Sequence, residues 1–142
     1  MTIKTIESNK APQPVGPYSP ALQVDHLLFI SGQIPLTHDG TLIENDFEAE
    51  TRQVLDNISA LLSDAGLDWS HVVKVGIFTT DLSKFNEINE IYADYVRAPY
   101  PARAAVEVAA LPKGARIEME AIARVKWRYK WIHQSIGVES WK

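Results

Sequence analysis

One arginine and two glutamates near the carboxyl end of the chain have the side chains needed to act on a small anionic molecule. Arg103 opens one predicted strand, and Glu118 and Glu120 lie in the next, where they alternate with apolar residues. Because side chains alternate across a strand, both glutamates leave the same face of the sheet. Carboxylates near a guanidinium line either a solvated rim or a pocket for an anionic ligand. We favour the pocket.

Length and composition limit the class of protein. The chain has 142 residues, of which 46% are hydrophobic and 23% charged, as expected for one ordinary domain with a real core. A net charge of −4 disfavours binding to nucleic acid or to an anionic membrane. Without cysteine the chain has no disulfide, thiol nucleophile or thiolate metal site. Its four histidines lack the paired spacing of metal ligands, so we predict no metal site.

The beginning of the chain carries no recognisable targeting signal. Residues 1–4 do not combine a basic stretch with an apolar one, and no run of about 18 apolar residues follows anywhere. We therefore expect a cytoplasmic protein that is not embedded in a membrane.

Periodicity predicts short strands interleaved with two helices. Apolar residues recur at helical spacing up to Gly66, a suitable C-terminal stop. Ser83 is a candidate cap for the second helix, whose apolar face includes Tyr92 and Tyr95. Ser31-Gly32-Gln33 is expected to end the third strand where the chain meets Pro35. We predict strands over residues 2–6, 22–24, 27–30, 72–80, 102–109 and 116–127, and helices over 46–65 and from 83 onward.

The predicted elements leave one side of the sheet without cover. The strands at 27–30 and 72–78 are apolar on both faces, whereas two helices shield only one face. Another copy of the chain is the simplest cover, because closed homo-oligomers are common among soluble proteins. Glu118 and Glu120 would then lie near a subunit boundary.

The chain contains several separated motifs, which are Gly16-Pro17-Tyr18-Ser19, Ser31-Gly32-Gln33, the strand through Lys74, Asn89, Pro101-Ala102-Arg103 and Ile117 to Ala123. In this order they resemble the RidA/YjgF family of reactive-intermediate deaminases, also called the endoribonuclease L-PSP family. The resemblance covers residues 2 to about 125, and it implies a chorismate-mutase-like α+β domain with a mixed six-stranded sheet and two helices on one face. It also implies a homotrimer with active sites between subunits. Residues 1–126 would form this domain and 127–142 a C-terminal extension.

The resemblance also implies an activity. It is the hydrolysis of 2-imino or enamino acids, such as 2-iminobutanoate and 2-iminopropanoate, to 2-keto acids and ammonia, which removes reactive metabolites. Carried over to this sequence, it makes Arg103 the anchor for the substrate carboxylate and Glu118 the group that positions or deprotonates water. The implied reaction needs neither a metal nor an organic cofactor. The remaining residues implied to line the site are Tyr18, Ser31, Gly32 and Asn89.

Each site residue also has a purely structural explanation. Arg103 could serve as an ion-pair partner, and Glu120 as a structural or solvated glutamate. Ser31 precedes a glycine at a strand end, and no G-x-S-x-G motif surrounds it, so a turn role or a ligand contact is favoured over a nucleophile. Tyr18 could pack on the sheet and Asn89 could bond within its helix.

The chain departs from the family pattern at two places. Many relatives have a cysteine two residues after the motif arginine, whereas this chain has Ala105. The extension 127–142 contains Trp127, Tyr129 and Trp131 alternating with basic residues. This pattern favours a prolonged strand that packs on the same or a neighbouring subunit.

Three alternatives to the deaminase function remain open. They are an RNA-binding endoribonuclease that inhibits translation, a chaperone-like protein, and a protein that binds small ligands without turnover.

Overall fold

The structure, a computed structural model, describes residues 1–125 of the chain. The prediction that the extension 127–142 prolongs a strand and packs on a subunit concerns residues outside the described ones. The described elements are β1 (Ile3–Ile6), β2 (Ala21–Val24), β3 (Leu27–Gln33), α1 (Phe47–Asp64), β4 (Val72–Thr79), α2 (Phe85–Tyr92), β5 (Ala102–Glu107) and β6 (Ile117–Arg124).

The six strands form one mixed sheet in the order β1-β2-β3-β6-β4-β5. Neighbouring strands are antiparallel except for β4 and β5, which run parallel because α2 connects them as a crossover. Helix α1 contacts β3, β6 and α2. The predicted α+β domain, with a mixed six-stranded sheet and two helices on one face, is confirmed.

Local sequence explains where α1 begins and ends. The Asp46 carboxylate accepts a hydrogen bond from the Ala49 N–H at 3.1 Å, and Glu50 accepts one from the Asp46 N–H at 3.1 Å. These contacts satisfy backbone donors that the first helical turn leaves free. Gly66 follows the helix at a φ of +75°, a conformation that favours glycine. The apolar face of α1 lies in the core through Val54, Leu55, Ile58, Leu61 and Leu62, which are all 0% exposed.

Strand β3 does not end at Ser31. It continues to Gln33, which pairs with Met119 after Ile30 has paired with Ala121. Ser31 and Gly32 therefore oppose the single intervening residue of β6, which is a β-bulge. The predicted strand end was wrong because pairing with β6 stabilises the extended backbone through the glycine.

The second helix is shorter than predicted and Ser83 does not cap it. Asp81 instead caps a 3-10 turn at Leu82–Lys84, and its carboxylate accepts a hydrogen bond from the Ser83 N–H at 3.0 Å. Helix α2 follows directly, and its N-cap position makes no side-chain hydrogen bond. The helix ends at Tyr92 because the next residues form tighter bonds, among them Tyr95 N–H to the Tyr92 carbonyl at 3.0 Å.

The sheet face opposite the helices is open in the chain. Phe29 is 41% exposed and Val106 is 44% exposed on this face, although both are large apolar residues. Such a surface is typical of an interaction site. Within residues 1–125, neither helix has the length and apolar character that crossing a membrane requires.

Candidate active site

A first cavity, here called the carboxylate cavity, lies between the proline-rich segment 12–20 and the ends of β3 and β6. Its volume is about 420 Å³. It is lined by four residues predicted for the site, together with Glu120. The four are Tyr18, Ser31, Gly32 and Glu118. The structure thus gathers most of the predicted site in one place.

Tyr18 and Ser31 are tied to the backbone of the proline-rich segment. The Ser31 hydroxyl donates to the Ser19 carbonyl at 2.6 Å, and the Tyr18 hydroxyl accepts from the Val15 N–H at 3.3 Å. The Tyr18 side chain remains 46% exposed. These bonds hold both hydroxyl groups at the wall of the carboxylate cavity.

Gly32 leaves the space that the Glu118 carboxylate occupies. A Cβ atom at Gly32 would overlap Glu118 Oε1 and lie 2.9 Å from its Cδ. Any side chain at position 32 would therefore displace the carboxylate. The backbone of β3 approaches this group closely because the residue is glycine.

The electrostatic surroundings of Glu118 favour its protonated form. Burial raises the pKa of the Glu118 carboxyl, and the negative charge of Glu120 raises it further. A carboxylate with a raised pKa is a better proton acceptor once ionised, which suits a general base.

A second cavity, here called the guanidinium cavity, lies between α2 and the beginning of β5. Its volume is about 310 Å³. The two remaining predicted site residues, Arg103 and Asn89, both line it. Its other walls are largely apolar and are formed by Tyr92, Ala93, Val96, Tyr100 and Pro101.

Two aromatic rings pack against the Arg103 head group. Its Cζ lies 5.4 Å from the centre of the Phe85 ring and 5.1 Å from that of Tyr92. Among residues 1–125, no acidic side chain forms an ion pair with it. Arg103 is therefore not a structural ion-pair partner within this part of the chain, and its N–H groups are available to an anion.

Within one chain, Arg103 and the two glutamates lie on opposite faces of the sheet. Strand β4 lies between β5 and β6, and Arg103 pairs with Val75, which is buried under the helices. Glu120 instead pairs with Gly76, the next residue of β4. Since consecutive β4 residues point to opposite faces, Arg103 faces the helices and the glutamates face the open side.

Two contributors to the site were not predicted from the sequence. Tyr92 was interpreted only as part of the apolar face of α2, yet it contacts Arg103. A Cβ atom at Gly76 would lie 3.2 Å from Cγ and Oε1 of Glu120, so this glycine makes room for the second carboxylate. A glycine inside an apolar strand is the signal that could have found it.

The comparison with protein families identifies the chain. The family model described as endoribonuclease L-PSP matches residues 8–125, which is most of the chain. The chain belongs to the RidA/YjgF family.

Similar proteins of the RidA/YjgF family carry different functional names. Human 2-iminobutanoate/2-iminopropanoate deaminase is 46% identical over 121 residues, which cover 84% of this chain and 88% of the human protein. YyfA of Yersinia pestis, a Rid-family protein of unknown function, is 48% identical with a TM-score of 0.84, covering 87% of this chain and 100% of YyfA. The crystal structure of E. coli TdcF with bound serine is 39% identical with a TM-score of 0.82, covering 87% and 99% of the two chains.

We predict that Gly32→Ala moves the Glu118 carboxylate without unfolding this RidA-family protein. The overlapping atoms lie at the end of a flexible side chain, so the free energy of unfolding should change by less than about 1 kcal/mol. Carboxyl ¹³C NMR should show a changed Glu118 resonance. The matched variant Gly76→Ala should change the Glu120 resonance instead, and an unchanged Glu118 signal in Gly32→Ala would contradict the predicted contact.

A second prediction concerns the titration of Glu118. Replacing Glu120 with Gln removes a negative charge that disfavours ionisation, so the pKa of Glu118 should fall. It should stay above the ordinary value because burial, the larger cause, is unchanged. The measurement is a carboxyl NMR titration, with Glu90→Gln on the exposed side of α2 as control. A Glu118 titration that is identical in both variants would disprove the coupling.

Proposed function

We propose that this protein hydrolyses 2-imino acids to 2-keto acids and ammonia, at sites that join the carboxylate cavity of one copy to the guanidinium cavity of another. The observation that carries the proposal is the Arg103 guanidinium at the wall of a cavity, which pairs with no carboxylate in the part of the chain that the structure describes. The human relative named 2-iminobutanoate/2-iminopropanoate deaminase supports the reaction class.

Arg103 anchors the substrate in this proposal. A 2-imino acid carries a carboxylate next to its C=N carbon, and the planar guanidinium holds a carboxylate through two parallel hydrogen bonds. That grip also orients the reacting carbon. Asn89 lies in the same cavity and offers a neutral amide beside the anchored group. The serine bound in the TdcF crystal structure, a small molecule with the same type of carboxylate, supports this class of ligand.

Glu118 handles the proton. Its carboxylate accepts a proton from water as the water oxygen bonds to the iminium carbon, which gives a carbinolamine. Glu118 then returns the proton to the carbinolamine nitrogen. As the C–N bond breaks and the C=O bond forms, Glu118 accepts the hydroxyl proton, and this proton passes to the departing ammonia, so the products are a 2-keto acid and ammonium. A protonated imine is already electrophilic, so general-base help of roughly 10² to 10⁴ and correct placement of the water carry the rate gain.

The second copy supplies the half of the site that each chain lacks. Arg103 and Glu118 lie on opposite faces of one sheet, so within one chain they cannot both contact the same ligand. Glu118 lies on the open face that exposes Phe29 and Val106. Covering this face with another copy buries the apolar residues and brings foreign side chains next to Glu118. We propose the homotrimer of the family as the assembly that does so.

The role of Arg103 can be tested by replacement. Arg103→Ala should lower kcat/KM for imine hydrolysis by at least about 100-fold, since a substrate charge loses its hydrogen-bonded partner. Arg103→Lys keeps the charge but loses the two-pronged geometry. Its kcat/KM should lie between those of the wild type and Arg103→Ala, mainly because KM rises. Imines are generated in situ with an amino-acid oxidase and the keto acid is measured.

The matched control for these variants is Arg97→Ala. Arg97 is exposed in the same connection between α2 and β5, and it does not line the guanidinium cavity. Full hydrolysis by a folded, oligomeric Arg103→Ala protein would refute the anchor. Carboxylate binding by the wild type without ammonia release would favour a ligand-binding protein over an enzyme.

The shared site predicts complementation between inactive subunits. Arg103→Ala and Glu118→Gln chains should each be inactive alone. When they are unfolded together and reassembled in equal amounts, about one site in four receives an intact Arg103 and an intact Glu118, so about a quarter of wild-type activity should return. A mixture that stays inactive after demonstrated subunit exchange would show that no active site combines Arg103 of one chain with Glu118 of another.

A further inference from the structure

Tyr92 connects the guanidinium cavity to the core of the protein. One face of its ring meets the Arg103 guanidinium, whose Cζ is 5.1 Å from the ring centre. Its ring also meets Trp69 edge to face, with centroids 6.5 Å apart and planes at 83°. Both geometries are favourable for aromatic contacts. Tyr92 is only 6% exposed, so it has little freedom to move away from either neighbour.

Helix α1 holds Trp69 in place. The indole Nε1–H donates to the Ser59 hydroxyl at 2.8 Å, and that hydroxyl donates to the Leu55 carbonyl at 2.9 Å. Trp69 does not line the guanidinium cavity. A continuous set of contacts therefore runs from α1 through Trp69 and Tyr92 to Arg103.

The ring of Tyr92, and not its hydroxyl, makes this connection. The hydroxyl is buried and has no hydrogen-bond partner in the part of the chain that the structure describes. Burial raises the pKa of this hydroxyl, and the positive charge of Arg103 opposes the rise. A phenylalanine at position 92 would thus keep the contacts that matter for Arg103.

We propose that Tyr92 is a positioning residue for Arg103. Its ring, with that of Phe85, holds the guanidinium at the cavity wall while leaving the N–H groups free to bind a carboxylate. An ion pair would hold the arginine as firmly but would occupy the same donors. A stacked guanidinium is pre-organised, so less side-chain freedom is lost when the ligand binds. That the held group serves a substrate carboxylate rests on the function proposed above.

Three variants distinguish the effect of the Tyr92 ring on Arg103 from the effect of its hydroxyl and from that of general packing. Tyr92→Phe keeps the ring, and Tyr92→Leu removes it. Tyr95→Leu is the matched control, because Tyr95 also contacts Trp69 edge to face, at 6.1 Å and 65°, but does not line the guanidinium cavity. It removes an aromatic ring from the same cluster, together with the hydrogen bond that the Tyr95 hydroxyl donates to Asp56 at 2.7 Å. It therefore reports the effect of lost packing and stability without loss of a ring that contacts Arg103. Thermal unfolding verifies that all three proteins fold.

The first readout needs no ligand and no activity. The Nε–Hε group of Arg103, assigned by the signal missing in Arg103→Lys, is followed by ¹⁵N relaxation in the full-length protein. We expect an order parameter of about 0.8 in the wild type, Tyr92→Phe and Tyr95→Leu, falling below about 0.6 in Tyr92→Leu. An equally rigid guanidinium in Tyr92→Leu would overturn the proposal.

The second readout is the affinity for 2-oxobutanoate, the keto acid expected from 2-iminobutanoate. Tyr92→Leu should weaken binding about three- to tenfold, and Tyr92→Phe and Tyr95→Leu by less than about twofold. In the Arg103→Lys background the same Tyr92→Leu change should have little further effect, because the stacked group is gone. Equal losses in both backgrounds would show that Tyr92 acts by packing only, and would overturn the proposal.

The two readouts keep this inference apart from the proposed function. If Arg103→Ala hydrolyses imines normally, the proposed deaminase site is refuted. The relaxation measurement still decides whether Tyr92 holds the guanidinium. If Arg103 is rigid in every variant while its removal abolishes hydrolysis, the proposed function stands and the positioning role of Tyr92 falls.

Discussion

The pleat of a single sheet governs the arrangement of the candidate site. Arg103 points to the same side of the sheet as its buried partner Val75. Glu118 and Glu120 point to the open side, as do their partners Phe78 and Gly76. No side-chain rotation carries a group through a hydrogen-bonded sheet. In the proposed site, the guanidinium and the carboxylates therefore meet one ligand only across two copies, and the open face that would receive a second copy is the one that bears the glutamates.

Each half of the site also leaves its charge uncompensated. Within residues 1–125 the Arg103 guanidinium is surrounded by aromatic rings and pairs with no carboxylate. Glu118 is half-buried beside a second carboxylate, which raises its pKa. Glycines on both flanking strands make room for the two acidic groups. Such uncompensated charges cost stability in one chain and are favourable where a charged substrate or a partner subunit meets them.

The scaffold holds the beginning of β6 firmly, just before Glu118. Arg116 donates from its Nε to the Glu50 carboxylate of α1 at 3.0 Å, and Glu50 is 2% exposed. The Arg116 carbonyl accepts a hydrogen bond from the Thr79 hydroxyl at 2.8 Å. One residue thus joins α1, β4 and β6. Glu118, the proposed proton acceptor, lies two residues further along and inherits this rigidity, as catalysis by precise placement requires.

Local and periodic signals in the sequence were sufficient for the helices, most strands, the common face of Glu118 and Glu120, and the family. They determine these features because capping, turn residues and strand alternation act over a few positions. The sequence did not reveal that β4 separates β5 from β6, which places Arg103 on the other face, nor the stacking of Tyr92 on its guanidinium. Strand order, register and the β3 bulge depend on contacts between residues far apart in the chain, and only the folded structure decides those.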